Sequence, residues 1–321
     1  MLNGTRRLGA LAIAAAIFAS ACSSTAATGT PAVTPTPVAT AAGATSTPAS
    51  APTAATAGGI NCVAGNITAA GSTALQPLVT AAAKQYDAAC TGATITVNPG
   101  GSGTGLSQVA SGAVQIGNSD VTAQSKLATP MPADSLVDHI VARQGWIVVT
   151  NKGVTGVTNL TTQQEIDIWT GKDTNWNQVG GPDLPIVLIF RPSSSGTRST
   201  FKKLVLGGKT AATGGQTLTE DSNGAVTTAI TKTNGAVSVI GFAYYNDPAN
   251  KPNLNGLQLD GVDATVANMS SNTYKLSADG HMYTLGTPAA GSLTEAFLAY
   301  MMSPDIQGTL IPSLSYAPVA K

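Results

Sequence analysis

Histidine is almost missing from this chain of 321 residues; His139 and His281 are the only two, and they lie far apart in sequence. Of three cysteines, Cys22, Cys62 and Cys90, none belongs to a CxxC pair. With no His or Cys at ligand spacing, neither a metal centre nor any other cofactor is expected. Charge is sparse and balanced at 16 basic and 16 acidic residues, and no basic cluster is interleaved with aromatics. That excludes the electrostatic footprint of a nucleic-acid partner. The GxxxxGK[ST] phosphate loop is absent, and the GSGTG at 101–105 is not followed by an acid at dinucleotide-binding spacing, so the nucleotide readings drop out. A nucleophile elbow needs GxSxG; GGSGT at 100–104 fails at its last position, and RPSSSGTR at 191–198 has no glycine before its serines.

What is present begins with a leader. Arg6 and Arg7 precede an apolar run at 8–18, followed by Ala19, Ser20, Ala21 and Cys22. Eleven apolar residues are too few to cross a bilayer as a helix, whereas a basic start, a short apolar stretch and small residues before a cysteine form an export signal. The small residues before Cys22 resemble a bacterial lipobox. That resemblance implies cleavage of a signal peptide at 1–21 and a lipid anchor on Cys22. Residues 23–59 are Ala, Thr, Pro, Ser, Gly and Val, with no charge and no aromatic ring. Such a segment buries too little apolar surface to offset the entropy of ordering it, so 22–60 reads as a disordered tether, spanning roughly 30–35 Å on average.

About 260 residues remain, enough for one large core or two smaller ones. Cys62 and Cys90 are an even pair in an exported chain and are expected to form a disulfide. From residue 62 onward one local event recurs three times. A short strand at 66–70 leads through Gly71, Ser72 and Thr73 into a helical pattern at 74–86. The alternating 93–97 leads through GGSGTG at 100–105 into a helix at 106–111. The apolar 184–190 leads through RPSSSGTR into a helix near 201–206. A hydroxyl stands at each expected helix N-cap, with glycine beside it. Helix N-termini offer unpaired N–H groups and a positive dipole end, and glycine lets an oxygen approach the backbone. Three such junctions exceed what capping requires and point to an anion. The apolar 113–117 ends at Asp120, which either caps a helix near 122–127 or stands beside the anion. A carboxylate there can accept the proton of hydrogen phosphate and would repel sulfate, which has none.

Taken in order, GSTAL at 71–75, GSGTG at 101–105, IGNSD at 116–120 and RPSSSGTR at 191–198 resemble the phosphate-binding proteins of ABC-type phosphate importers. NLTTQQEIDIWTGK at 159–172, TNWNQVGGPD at 174–183, VIGFAY at 239–244 and AFLAYMMSPDIQ at 296–307 extend the likeness over nearly all of the chain after residue 62. The resemblance implies a two-lobed α/β fold of the periplasmic-binding-protein type (type II), with the ligand in the cleft. Residues 62–145 with 281–321 would form one lobe and 146–280 the other, with a new strand starting at Gly145-Trp146. The implied phosphate pocket comprises Thr73, Ala74, Ser102, Asp120, Arg191, Ser195, Gly196 and Thr197. Arg191 would grip two oxygens, while Arg198 either reaches the anion or pairs with an acid on the lobe surface. The implied protein is no enzyme but a monomeric, extracytoplasmic lipoprotein that passes inorganic phosphate to a membrane permease. Two other functions stay open: a secreted phosphoester or acyl-ester hydrolase using Ser102 or Ser195, and an adhesion or signalling protein built on the same scaffold.

Overall fold

The computed structural model describes residues 55–57, 59–127, 135–212 and 216–319; the leader, Cys22 and nearly all of the tether lie outside the described residues. After a short antiparallel pair at Ala55–Ala57 and Ile60–Cys62, the described chain enters a β-α-β-α-β run. Strand β1 (Gly65–Gly71) is followed by helix α1 (Gln76–Ala89), β2 (Ala93–Pro99), α2 (Ser102–Ala110) and β3 (Ile116–Ser119). Both β2 and β3 run parallel to β1, which lies between them. Leu78, Val79, Ala82 and Tyr86 recur at helical spacing and form the buried face of α1. Cys62 and Cys90 are joined by a disulfide with a Cα–Cα distance of 5.1 Å, which ties the chain before β1 to the end of α1.

Next comes one long strand, β4 (Leu136–Asn151). The sequence reading placed a new strand at Gly145-Trp146; instead β4 continues through that point and changes partners there. Residues 136–145 pair antiparallel with a late strand that spans Ser277–Leu285, and 146–150 pair antiparallel with another that spans Ala236–Gly241. The run from 136 to 151 is rich in β-branched and apolar residues, which suits an extended strand. Gly145 packs directly on Met269, whose side chain would have to shift to admit a Cβ at this position. The second half adds α3 (Thr162–Trp169), β5 (Val187–Phe190), α4 (Gly196–Leu204), β6 (Thr217–Thr219), α5 (Asn223–Lys232), β7 (Ala236–Gly241) and β8 (Leu254–Gly256), before β9 (Ser277–Leu285) and α6 (Leu293–Met301) return to the first half. The nine strands connect in the order β2-β1-β3-β9-β4-β7-β5-β6, with β8 paired to β4.

The two largest of three buried apolar clusters among the described residues flank the change of partners, as expected of a two-lobed α/β fold. One gathers Leu75, Leu78, Tyr86, Ile116, Phe297 and Met301. The other gathers Trp146, Trp176, Ile189, Val226, Ile240 and Tyr274. Each fully buried Leu or Ile contributes about 1.5–3 kcal/mol by leaving water, so both lobes have cores of their own. No helix among the described residues is long and apolar enough to cross a membrane.

Candidate functional site

The three glycine-hydroxyl junctions converge at the lobe boundary, but they are built differently from one another. Only the third has the expected cap: Ser195 is the N-cap of α4, and its Oγ accepts from Arg198 N at 3.2 Å. At the first, the N-cap is Leu75 with no side-chain cap, and Ser72 Oγ accepts from the N–H groups of Ala74 and Leu75, both at 3.1 Å. At the second, the N-cap is Gly101, and Ser102 Oγ instead accepts from Asp120 N at 2.9 Å. Two of the three hydroxyls thus organise the loop around the site rather than the helix behind it. The reason is that glycine at 101 and the turn at 72–75 free the hydroxyls from cap geometry.

Asp120 is buried at 2% exposure and caps nothing; the helical turn beyond it, Ala123–Ser125, has Thr122 as its N-cap. Its Oδ1 accepts from Ser72 Oγ and, at 3.0 Å, from Gln144 Nε2, while Thr197 Oγ1 lies 3.3 Å from its Oδ2. Thr197 in turn accepts from Trp146 Nε1 at 3.0 Å, which orients its hydrogen toward Asp120. Burial pushes the Asp120 carboxyl above its usual range, against the pull of the Ser72 and Gln144 hydrogen bonds, the Arg191 charge and the Thr197 bond.

Arg191, 4% exposed, leaves the end of β5 and crosses to the other lobe. Its Nη2 donates to Thr73 Oγ1 at 3.2 Å and to the Asp221 carbonyl at 2.8 Å. Its Nε and Nη1 are buried with no partner among the described residues. Burial lowers its pKa, and the charges of Asp120, Asp221 and Tyr244 oppose that effect. Arg198 Nη1 donates to the Arg191 carbonyl at 2.8 Å and so braces the loop that carries Arg191.

Thr73, Ser102 and Ser195 share one condition. Each hydroxyl oxygen accepts from an N–H, and none donates to a protein acceptor among the described residues. Gly196 and Thr197 open α4, where N–H groups have no intrahelical acceptor. Gly196 also fixes how closely the lobes approach, since a Cβ there would lie 2.1 Å from Ser102 Oγ and 2.7 Å from Asp120 Cβ. Ala74 is buried against Gly241 of the opposite lobe, and its N–H, expected to face the anion, is taken by Ser72. Further bonds join the lobes: Gly103 N donates to the Ser194 carbonyl at 2.8 Å, and Lys126 Nζ donates to the carbonyls of Ser193 at 2.6 Å and Ser195 at 3.2 Å. Burial, aided by Arg198, lowers the Lys126 pKa.

The sequence reading missed the roles of Ser72, Gln144, Trp146, Asp221 and Asn223. Asn223 donates to Thr73 Oγ1 through both its side chain and its backbone. Ser72 stood within the Gly71-Ser72-Thr73 junction, and Asp221 and Asn223 within DSN before the apolar periodicity of α5, whereas Gln144 carried no local signal. Neither histidine reaches the site: His281 Nδ1 pairs with Asp138 at 3.0 Å, and His139 Nε2 lies 3.1 Å from Thr284 Oγ1.

The PBP superfamily domain matches residues 26–305 of the chain. Over 255 residues the chain is 42% identical to the phosphate-binding protein PstS of Bacillus subtilis, covering 79% of this chain and 81% of that protein. The structure is similar to that of a phosphate ABC transporter substrate-binding protein from Clostridium perfringens with bound phosphate, at TM-score 0.70 and 25% identity over 80% of this chain and 100% of the other. An ABC-type phosphate transport receptor from Vibrio cholerae is similar at TM-score 0.61 and 27% identity, over 79% and 100%. With its motifs in the family's order, its two-lobed fold and this degree of identity, the chain belongs to the PBP superfamily, among the phosphate-binding proteins of ABC transport.

Proposed function

We propose that the chain captures inorganic phosphate outside the cytoplasm and delivers it to an ABC-type importer. One observation carries the reading. The hydroxyls of Thr73, Ser102 and Ser195, and Nε and Nη1 of Arg191, form a buried set of donors without protein acceptors, beside one carboxylate. Leaving a buried donor unpaired costs about 1–3 kcal/mol, so such a set calls for an acceptor-rich guest. An oxyanion meets the need. Arg191 offers it charge-assisted N–H donors, the hydroxyls and the first N–H groups of α4 bind the remaining oxygens, and Asp120 accepts a hydrogen bond from the proton that hydrogen phosphate carries.

The lobes involved are 62–145 with 281–321, and 146–280. Residues 1–21 act as a signal peptide, Cys22 carries a lipid, and 22–60 tether a monomeric binding protein to the outer face of a membrane. The hydrolase alternative is disfavoured because neither Ser102 nor Ser195 hydrogen bonds a base; their oxygens accept from the backbone N–H groups of Asp120 and Arg198.

Calorimetric titration with phosphate tests the reading. Arg191→Lys keeps the charge but loses the planar set of N–H donors, and should weaken binding about ten- to a hundredfold. Ser195→Ala should cost less, because neighbouring N–H groups remain. Ester turnover by the parent that vanishes in Ser102→Ala or Ser195→Ala, with phosphate affinity untouched, would overturn the proposal.

A further inference from the structure

We propose that Asn223 is a positioning residue for anion capture: on closure it holds Thr73 Oγ1 as an acceptor, so that the Thr73 hydroxyl must give its hydrogen to the ligand. The inference rests on the phosphate reading of the pocket and adds a residue that makes no contact with the anion in its own right.

Three donors from the second lobe meet one oxygen of the first. Asn223 Nδ2 lies 2.9 Å from Thr73 Oγ1, Asn223 N lies 3.2 Å from it, and Arg191 Nη2 lies 3.2 Å from it. A hydroxyl has two lone pairs and a single hydrogen. With N–H groups crowding the lone-pair side, the hydrogen is directed away from them. The side-chain amide cannot turn around. Its Oδ1 accepts from Gly241 N at 2.8 Å, and a backbone N–H can only donate, so Nδ2 is committed to Thr73. Asn223 is fully buried, at 0% exposure, on the first turn of α5. Two residues earlier, the Asp221 carbonyl holds Arg191 Nη2. Residues 221–223 therefore set both the guanidinium and the hydroxyl from one short segment. When the lobes part, Thr73 separates from Asn223 and its hydroxyl rotates freely; closure restores one donor direction.

A purely structural role, tying α5 to β7 through Gly241, is the competing explanation, and the two differ in how they couple to Thr73. The experiment is a double-mutant cycle with phosphate as titrant, using Asn223→Ala and Thr73→Val, the latter keeping the shape without the hydroxyl. Positioning predicts that Asn223→Ala weakens phosphate binding about tenfold in the parent and less than about threefold in the Thr73→Val background. Asn223→Asp keeps the acceptor for Gly241 N but buries a carboxyl, which should lower the phosphate-free thermal midpoint, so its affinity is read at a temperature where melting curves show that variant folded. Its outer oxygen can draw the Thr73 hydrogen to itself, so its affinity loss should exceed that of Asn223→Ala, and the excess should shrink in Thr73→Val. Equal losses in both backgrounds, or no loss in either variant, would overturn the proposal. A folded parent that binds no phosphate would instead sink the phosphate reading, and this inference with it.

Discussion

Asp120 shows how much a single carboxylate depends on its surroundings. IGNSD marks it as an acid at the end of a strand; the bonds that fill its oxygens come from Ser72, Gln144 and Thr197, up to 77 residues away in the chain. Because burial raises its pKa, the carboxyl takes up a proton at a higher pH than an ordinary Asp and then has a hydrogen to donate. Ionised Asp120 rejects an anion without a proton, whereas neutral Asp120 tolerates one. Competition titrations of phosphate against sulfate should therefore show strong preference for phosphate at pH 8 that narrows toward pH 5. Asp120→Asn should have a preference about tenfold or more weaker at pH 8, and independent of Asp120 titration. Equal rejection of sulfate by both proteins at every pH would remove Asp120 as the selector.

Among the elements, α3 departs most from its local sequence. Thr161 and Gln164 form a capping box that any reader of TTQQE would expect. Glu165, which suits the dipole of a first turn, is instead fully buried. Its Oε2 accepts from Trp169 Nε1 at 3.0 Å, one turn on, and its Oε1 has no partner among the described residues. Burial pushes its pKa from 4.5 to about 8. A folded-state pKa above the unfolded one stabilises the fold fully below the unfolded value, and that stability is lost as pH climbs through the folded value. The window runs from 4.5 to about 8, and the loss is on the order of 4–5 kcal/mol. Glu165→Gln, which keeps the acceptor for Trp169, should match the parent near pH 5 and melt at a higher temperature near pH 9. Parallel melting curves across that range would contradict the assignment. The strands and helices of the three junctions were legible from periodicity and glycine placement. Their capping was less so, since at two of them the hydroxyl served the loop instead of the helix.

At the level of the whole molecule, the site exists because two lobes meet. Gly196 approaches Ser102 and Asp120 at a distance that no side chain would allow, and Lys126 and Gly103 bond to carbonyls on the facing loop. The strand β4 carries Gln144 on one side of the crossing and Trp146 on the other, so both touch the Asp120–Thr197 pair from the boundary itself. Outside this body, the proposed anchor makes a separable prediction. Cys22→Ser should abolish lipid labelling in cells and release the protein from membranes, with phosphate affinity unchanged. Membrane retention of the variant would exclude Cys22 as the attachment point.

Periodicity, turn chemistry and the order of the glycine-hydroxyl motifs were enough to establish an α/β chain built around an anion, because each of these is a property of neighbours in sequence. The cysteine count also foretold the Cys62–Cys90 disulfide, whereas the gathering of Thr73, Ser102, Asp120, Arg191, Ser195, Gly196 and Thr197 into one place depends on the folded chain. Which donors remain unpaired, which way the Thr73 hydrogen points and why Glu165 is buried are likewise questions of saturation and burial. Those depend on groups brought together from distant parts of the chain, and only packing brings them within 3 Å or so of one another.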